Sequence, residues 1–153
     1  MKLRVVELLL ISTIPAMALA ERGLPPLGIT VATLLGGTLA AGSANAFNQV
    51  IEKDIDELMQ RTKRRPLVEK QLTSRESLIF ATLVGILSLS IFWIFTTPLA
   101  TFLTLFAIAY YVIVYTILLK RRTSQNIVWG GAAGCMPVLI GWAAITNSIT
   151  LSG

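Results

Sequence analysis

Apolar residues run along this chain in long unbroken stretches, not at a period of 3.6 or 2, and the polar residues are gathered between them. Five stretches of about 20 residues stand out: Leu3–Ala20, Leu27–Ile51, Ser77–Phe95, Leu99–Leu119 and Asn126–Ile145. A helix of that length crosses a hydrocarbon core of roughly 30 Å. Within lipid every backbone N–H and C=O must be satisfied inside the segment, so the pattern predicts an all-α fold. The expected architecture is a polytopic transmembrane helix bundle of about five helices.

The connections are unequal. Glu21–Pro26 and Thr96–Pro98 are short and carry proline, which makes the first and second helices, and the third and fourth, antiparallel neighbours. Residues 52–76 form the one connection with room for a lid or a helical cap. Gly37 and Ala41, Ala40 and Ala44, and Gly130 and Gly134 stand four apart, a spacing that lets helix backbones approach closely. Pro15 and Pro137 fall inside spans, where freed carbonyls need other protein groups or water. Lys2, Arg4 and Ala18-Leu19-Ala20 imitate a cleavable signal peptide. Glu7, just behind the start of the apolar stretch, favours a retained helix whose inner end borders a polar cavity.

Composition agrees with the pattern: 54% of residues are hydrophobic and 14% charged. The formal net charge of +5 would suit nucleic acid, but the positions of the charges exclude that partner. Seven of the thirteen Lys and Arg (Lys53, Arg61, Lys63, Arg64, Arg65, Lys70, Arg75) lie between the second and third stretches. Lys120, Arg121 and Arg122 follow the fourth, Lys2 and Arg4 precede the first, and only Arg22 lies on the other side. That asymmetry places the N-terminus and the basic connections in the cytoplasm, facing the headgroups of the lipid bilayer. Cys135, the single cysteine, reads as a small buried residue. The absence of histidine excludes permanent His ligation of haem, zinc or copper by this chain.

Chemistry concentrates in NQVIEKDIDELMQRTKRRPL, Asn48 to Leu67, which packs four acids and five bases into twenty residues. If the second helix continues to Met59, then Asn45, Asn48, Glu52, Asp56 and Met59 fall within an arc of about 80°, with Asp54 pointing away. An ionised group in a bilayer centre costs roughly 2.5–3.5 kcal/mol, so such a face belongs to a polar cavity. Crowded carboxylates repel unless a cation lies between them. Magnesium fits, because it takes one or two carboxylates and completes its shell with water and phosphate oxygens. Arg61, Lys63, Arg64 and Arg65 can hold the remaining phosphate oxygens. Acids for a metal beside bases for phosphate, at a lipid boundary, point to a lipid-soluble diphosphate.

Asn48, Glu52 and Asp56 resemble the first Asn-xxx-Asp-xxx-Asp motif of the UbiA-type intramembrane prenyltransferase superfamily. The whole Asn48–Leu67 string, the block YTILLKRRTSQNIVWGGAAGCMPVLIGW (Tyr115 to Trp142) and the opening KLRVVELLLISTIPAMALA are similar to one branch, the protoheme IX farnesyltransferases or haem O synthases. The resemblance implies nine transmembrane helices, with two acidic motifs facing each other across a cavity. It implies transfer of a farnesyl group from farnesyl diphosphate to a vinyl group of haem b, with Mg2+ as cofactor; the membrane is bacterial inner or organellar, and the lack of an amphipathic Arg/Ser-rich stretch before the first helix favours the bacterial one. Haem A synthase or cytochrome oxidase assembly proteins are the protein partners it implies.

Carried over residue by residue, Asn48, Glu52 and Asp56 are catalytic, and the same three with Asp54 are metal ligands. Arg61, Lys63, Arg65, Tyr115, Lys120 and Arg121 become diphosphate contacts. Trp93, Tyr110, Tyr111, Trp129 and Trp142 are either walls of a pocket for an allylic cation or membrane-facing packing.

Two departures from the family pattern stand out. Glu52 replaces the usual Asp, which its longer reach tolerates. No Asp or Glu follows Glu76, so the second acidic motif is missing. The expectation is therefore the N-terminal half of such an enzyme, inactive alone, which farnesyl transfer by the purified chain would overturn. The alternatives are a related prenyltransferase for a quinone precursor or chlorophyllide, and a small non-enzymatic membrane protein whose charges form surface salt bridges.

Overall fold

Each apolar stretch lies in a helix in the computed structural model. The structure describes the backbone of residues 3–58, 60, 62, 67–69, 72–119 and 126–149, and their side chains except at 3–10, 58, 119, 126–128 and 130–133. Among these residues the order is α1 Leu3–Glu21, α2 Leu27–Ile51, α3 Lys53–Leu58, α4 Ser74–Phe95, α5 Pro98–Ala109, a π-helical segment Tyr110–Leu119, and α6 Asn126–Thr146. Among the described residues three helices are long and apolar enough to cross a membrane: Leu27–Ile51, Ser74–Phe95 and the continuous Pro98–Leu118. Large apolar side chains such as Leu83, Ile86, Trp93, Phe102 and Phe106 are exposed, as lipid-facing surface requires.

Local chemistry sets the helix ends. The α1–α2 turn is a Schellman cap: Gly23 N–H donates to the Ala18 carbonyl at 3.1 Å and Arg22 N–H to that of Leu19 at 3.2 Å. Arg22 occupies the left-handed position at φ 57°, where a Cβ costs roughly 1 kcal/mol. Arg22→Gly is therefore expected to raise the thermal midpoint by about 2–4 °C, read by melting in detergent micelles. Helix α4 starts three residues before the apolar pattern does, because Thr73 and Glu76 form a capping box. Thr97 caps α5 by accepting from Ala100 N–H at 3.2 Å and donates its own hydroxyl to the Ala143 carbonyl of α6 at 2.7 Å. Pro98 follows in the first turn, where its missing N–H costs nothing.

Small residues bring the helices together, and Ala44 of the expected pairs is buried on α2. On the α2–α4 face, Ser43 donates to the Ala81 carbonyl and Ser88 to the Gly36 carbonyl, both at 2.7 Å. A Cβ at Gly36 would stand 2.7 Å from the Phe92 ring, and one at Gly85 would stand 2.9 Å from Ser43 Oγ. On the α1–α6 face, a Cβ at Gly141 would meet Thr13 Cγ2 at 2.7 Å and the Thr13 carbonyl oxygen at 3.1 Å. Gly134, by contrast, has nothing within 4 Å of that position. A core of Phe92, Ala100, Ile140, Ala143 and Ala144 joins α4, α5 and α6. Cys135, expected to be buried, is exposed on α6.

The π segment was not legible as such in the sequence. Five of its ten residues (Val112, Ile113, Val114, Thr116, Ile117) are β-branched and crowd the preceding turn of an α-helix. The i→i+5 register is rare in general and clusters at functional sites.

Candidate functional site

The polar face forms where α2 ends. Glu52 leaves helical geometry at φ −101° and ψ 14° and so separates α2 from α3. The hydrogen-bond ladder nevertheless runs through: Glu52 N–H donates to the Asn48 carbonyl at 3.0 Å, and Asp56 N–H to the Glu52 carbonyl at 2.9 Å. Residues 48, 52 and 56 thereby stay four apart on one face across the break. All three are buried, with Asn48 7%, Glu52 3% and Asp56 4% exposed. Asp54 and Glu57 are exposed and Lys53 is half-buried. Asn45 is half-buried, and its Nδ2 donates to the Ala41 carbonyl of its own helix at 2.8 Å.

Two other elements close over this face. Thr116 of the π segment is fully buried; its Oγ1 lies 3.0 Å from Asn48 Oδ1 and 2.9 Å from the Tyr111 carbonyl oxygen. Tyr111 and Tyr115 stack with centroids 5.1 Å apart and planes at 28°. From the connection after α3, buried Thr62 donates to the Asp56 carbonyl at 3.1 Å, and Leu67 is buried as well.

Two carboxylates and a carboxamide oxygen, buried in succession on one face, form an all-oxygen donor set. Such a set suits a hard divalent cation and contains nothing a softer metal would prefer. Among the described residues no three His, Cys, Asp or Glu side chains converge on a metal position. Phosphate and water oxygens would therefore have to complete the shell, which is magnesium's ordinary mode of binding. The residues fit magnesium on that ground.

Of the other anticipated site residues, Tyr115 is half-buried beside Thr116. Arg61, Lys63, Arg65, Lys120 and Arg121 lie outside the described residues. Trp93 and Trp129 are exposed, and the Tyr110 hydroxyl donates to the Trp129 carbonyl at 3.3 Å. Thr116 and Thr62 escaped the sequence reading. Thr116 could have been found as the one aliphatic hydroxyl in the apolar run VIVYTILL; nothing marked Thr62. A cavity of about 280 Å³ lies between α2, the start of α4 and the connection, lined by Gln49, Leu67, Leu72 and Phe80 among others, and includes neither Glu52 nor Asp56.

Residues 9–153 match the UbiA prenyltransferase family. Three bacterial relatives, each named protoheme IX farnesyltransferase, align with 97% of this chain. That of Pseudarthrobacter chlorophenolicus is 60% identical over 148 residues, 46% of its own length. That of Paenarthrobacter aurescens is 57% identical over 148 residues, again 46% of its length. That of Clavibacter michiganensis subsp. michiganensis is 58% identical over 149 residues, 49% of its length. The chain thus spans about half the length of the curated relatives it matches. The apo structure of a UbiA homolog from Aeropyrum pernix K1 superposes with a TM-score of 0.70 at 21% identity, covering 96% of this chain and 54% of that one. At that identity the likeness shows the fold.

Proposed function

The chain belongs to the UbiA prenyltransferase family, and from that premise we propose that it serves the transfer of a farnesyl group from farnesyl diphosphate to a vinyl group of haem b, yielding haem O. The observation that carries the reading is the joint burial of Asn48, Glu52 and Asp56 on one face, with Asn48 against Thr116 of the π segment. Identity of 57–60% with relatives named protoheme IX farnesyltransferase supports the choice of acceptor.

In this reading Asn48, Glu52 and Asp56 hold the cation and orient the diphosphate, with exposed Asp54 at the solvent edge of the cluster. Arg61, Lys63, Arg65, Lys120 and Arg121 contact phosphate oxygens, and their fixed charge favours the departing diphosphate over the bound ester. Magnesium, when bound, neutralises the charge that grows on the leaving group. The allylic C–O bond breaks with both electrons leaving on the diphosphate. The vinyl carbons attack the farnesyl cation, and water adds to the resulting carbocation with loss of a proton. The stacked rings of Tyr111 and Tyr115 precede Thr116 in sequence, and an aromatic face of this kind can stabilise an allylic cation by roughly 0.5–2 kcal/mol. The burial of Asn48, Glu52 and Asp56 keeps bulk water from the reacting carbon.

The chain is an integral membrane protein. We place it in a bacterial inner membrane with the N-terminus and residues 52–76 in the cytoplasm, following its basic residues. Its lipid-soluble product suits delivery within the bilayer to haem A synthase or cytochrome oxidase assembly proteins. The test is a chimera in which this chain replaces the matching segment of the Pseudarthrobacter chlorophenolicus relative. Mass spectrometry of haem from cells lacking their own enzyme should detect hydroxyethylfarnesyl haem; haem b alone would sink the reading.

A further inference from the structure

Thr116 holds a position that neither its charge nor its surroundings demand. It is fully buried in an apolar run, and its hydroxyl has two acceptors within reach. A hydroxyl carries one proton, so the Tyr111 carbonyl and Asn48 Oδ1 compete for it. The Tyr111 contact spans five residues, which is the register of the π segment itself. In an α-helical register the carbonyl one turn back would belong to Val112 instead. The Asn48 contact joins elements 68 residues apart in sequence. The wide turn thus brings a hydroxyl, already supplied with an acceptor of its own, against the carboxamide on the buried acidic face.

We infer that Thr116 is a positioning residue for the cation site: it fixes the carboxamide plane of Asn48 and releases Asn48 Oδ1 to the metal by turning its proton to the Tyr111 carbonyl. This inference rests on the reading of Asn48 as a ligand given above. Without a cation, the Thr116 proton is shared with Oδ1 and keeps the carboxamide from rotating. With Oδ1 engaged, the same proton turns to an acceptor already 2.9 Å away. No buried hydrogen bond is lost on loading, so the switch avoids the cost of an unsatisfied buried donor. Groups that orient metal ligands from behind change affinity by about 10- to 100-fold when removed.

The experiment titrates magnesium into the purified chain in detergent micelles in the presence of farnesyl diphosphate. Calorimetry reads the half-saturating magnesium concentration, and a thermal melt is run on each variant. Thr116→Val should raise that concentration by about tenfold, while Thr116→Ser, which keeps the hydroxyl, should stay within about twofold of wild type. In an Asn48→Ala background, Thr116→Val should add nothing. If the valine variant does not fold, Thr116→Ala replaces it throughout.

A valine or alanine variant that matches wild type overturns the inference and leaves the function proposed above intact. So does an effect of equal size in the Asn48→Ala background. A wild-type chain that takes up no farnesyl diphosphate at any magnesium concentration defeats the reading of the site, and this inference with it.

Discussion

Asp56→Ala and Glu52→Ala should each severely weaken magnesium-dependent binding of farnesyl diphosphate. Both carboxylates are buried on the face that Asn48 begins. A unit charge about 4 Å from another is worth roughly 4 kcal/mol at an effective dielectric of 20. Desolvation of the cation offsets part of that, which leaves a loss of about a hundredfold in affinity for either substitution. Asp54→Ala, on the exposed side of α3, is expected to cost only about twofold to fivefold, because water screens that charge. Calorimetric titration of farnesyl diphosphate at fixed magnesium separates the cases. Equal losses at Asp54 and Asp56 would count against the buried face as the site. No loss at either would favour a surface salt-bridge cluster.

The second large effect concerns the helix contacts. Gly36→Ala places a methyl 2.7 and 2.9 Å from ring carbons of Phe92, which is fully buried. Gly141→Ala drives a methyl to 3.1 Å from a backbone oxygen of Thr13. Overpacking of this kind costs about 1–3 kcal/mol. The gain in helix propensity from Gly to Ala is smaller, about 0.5–1 kcal/mol, so the net change is destabilising. Midpoints for both variants should fall by several degrees. Gly42→Ala, on α2 with nothing within 4 Å, should leave the midpoint level or raise it. Melting of all three in one detergent checks the ordering, and a stable Gly36→Ala protein would contradict the tight α2–α4 approach.

How far the sequence carried these conclusions depended on the physical origin of each feature. The helices were legible because lipid permits little else for stretches such as Leu27–Ile51, where composition alone sets the conformation. The joint face of Asn48, Glu52 and Asp56 was legible because spacing by four survives the local break at Glu52. The break itself was not, since nothing in IEKD distinguishes it from continuous helix. The small-residue contacts were legible in kind, but spacing alone did not single out Gly36, Gly85 and Gly141. Many small residues line α2, and only the partner helix decides that Gly36 and Ser43 are the ones used. Thr116 escaped because its role comes from the i→i+5 register, and β-branched crowding does not by itself announce that register. Cys135 was misjudged because an apolar helix facing lipid exposes what a water-soluble core would hide.

The paired serine bonds between α2 and α4 bear on how the protein meets membranes of different thickness. Ser43 holds the Ala81 carbonyl while Ser88 holds that of Gly36, seven residues along each helix, so the two bonds are separated by about 10 Å along the axis. Sliding one helix past the other by about 3 Å would stretch both beyond hydrogen-bond reach. A thinner or thicker bilayer is therefore met by tilting the two helices together, not by shearing between them. The depth of Glu52 and Asp56 below the headgroups then follows the angle of the pair as a rigid lever, so bilayer thickness is felt at the site through tilt.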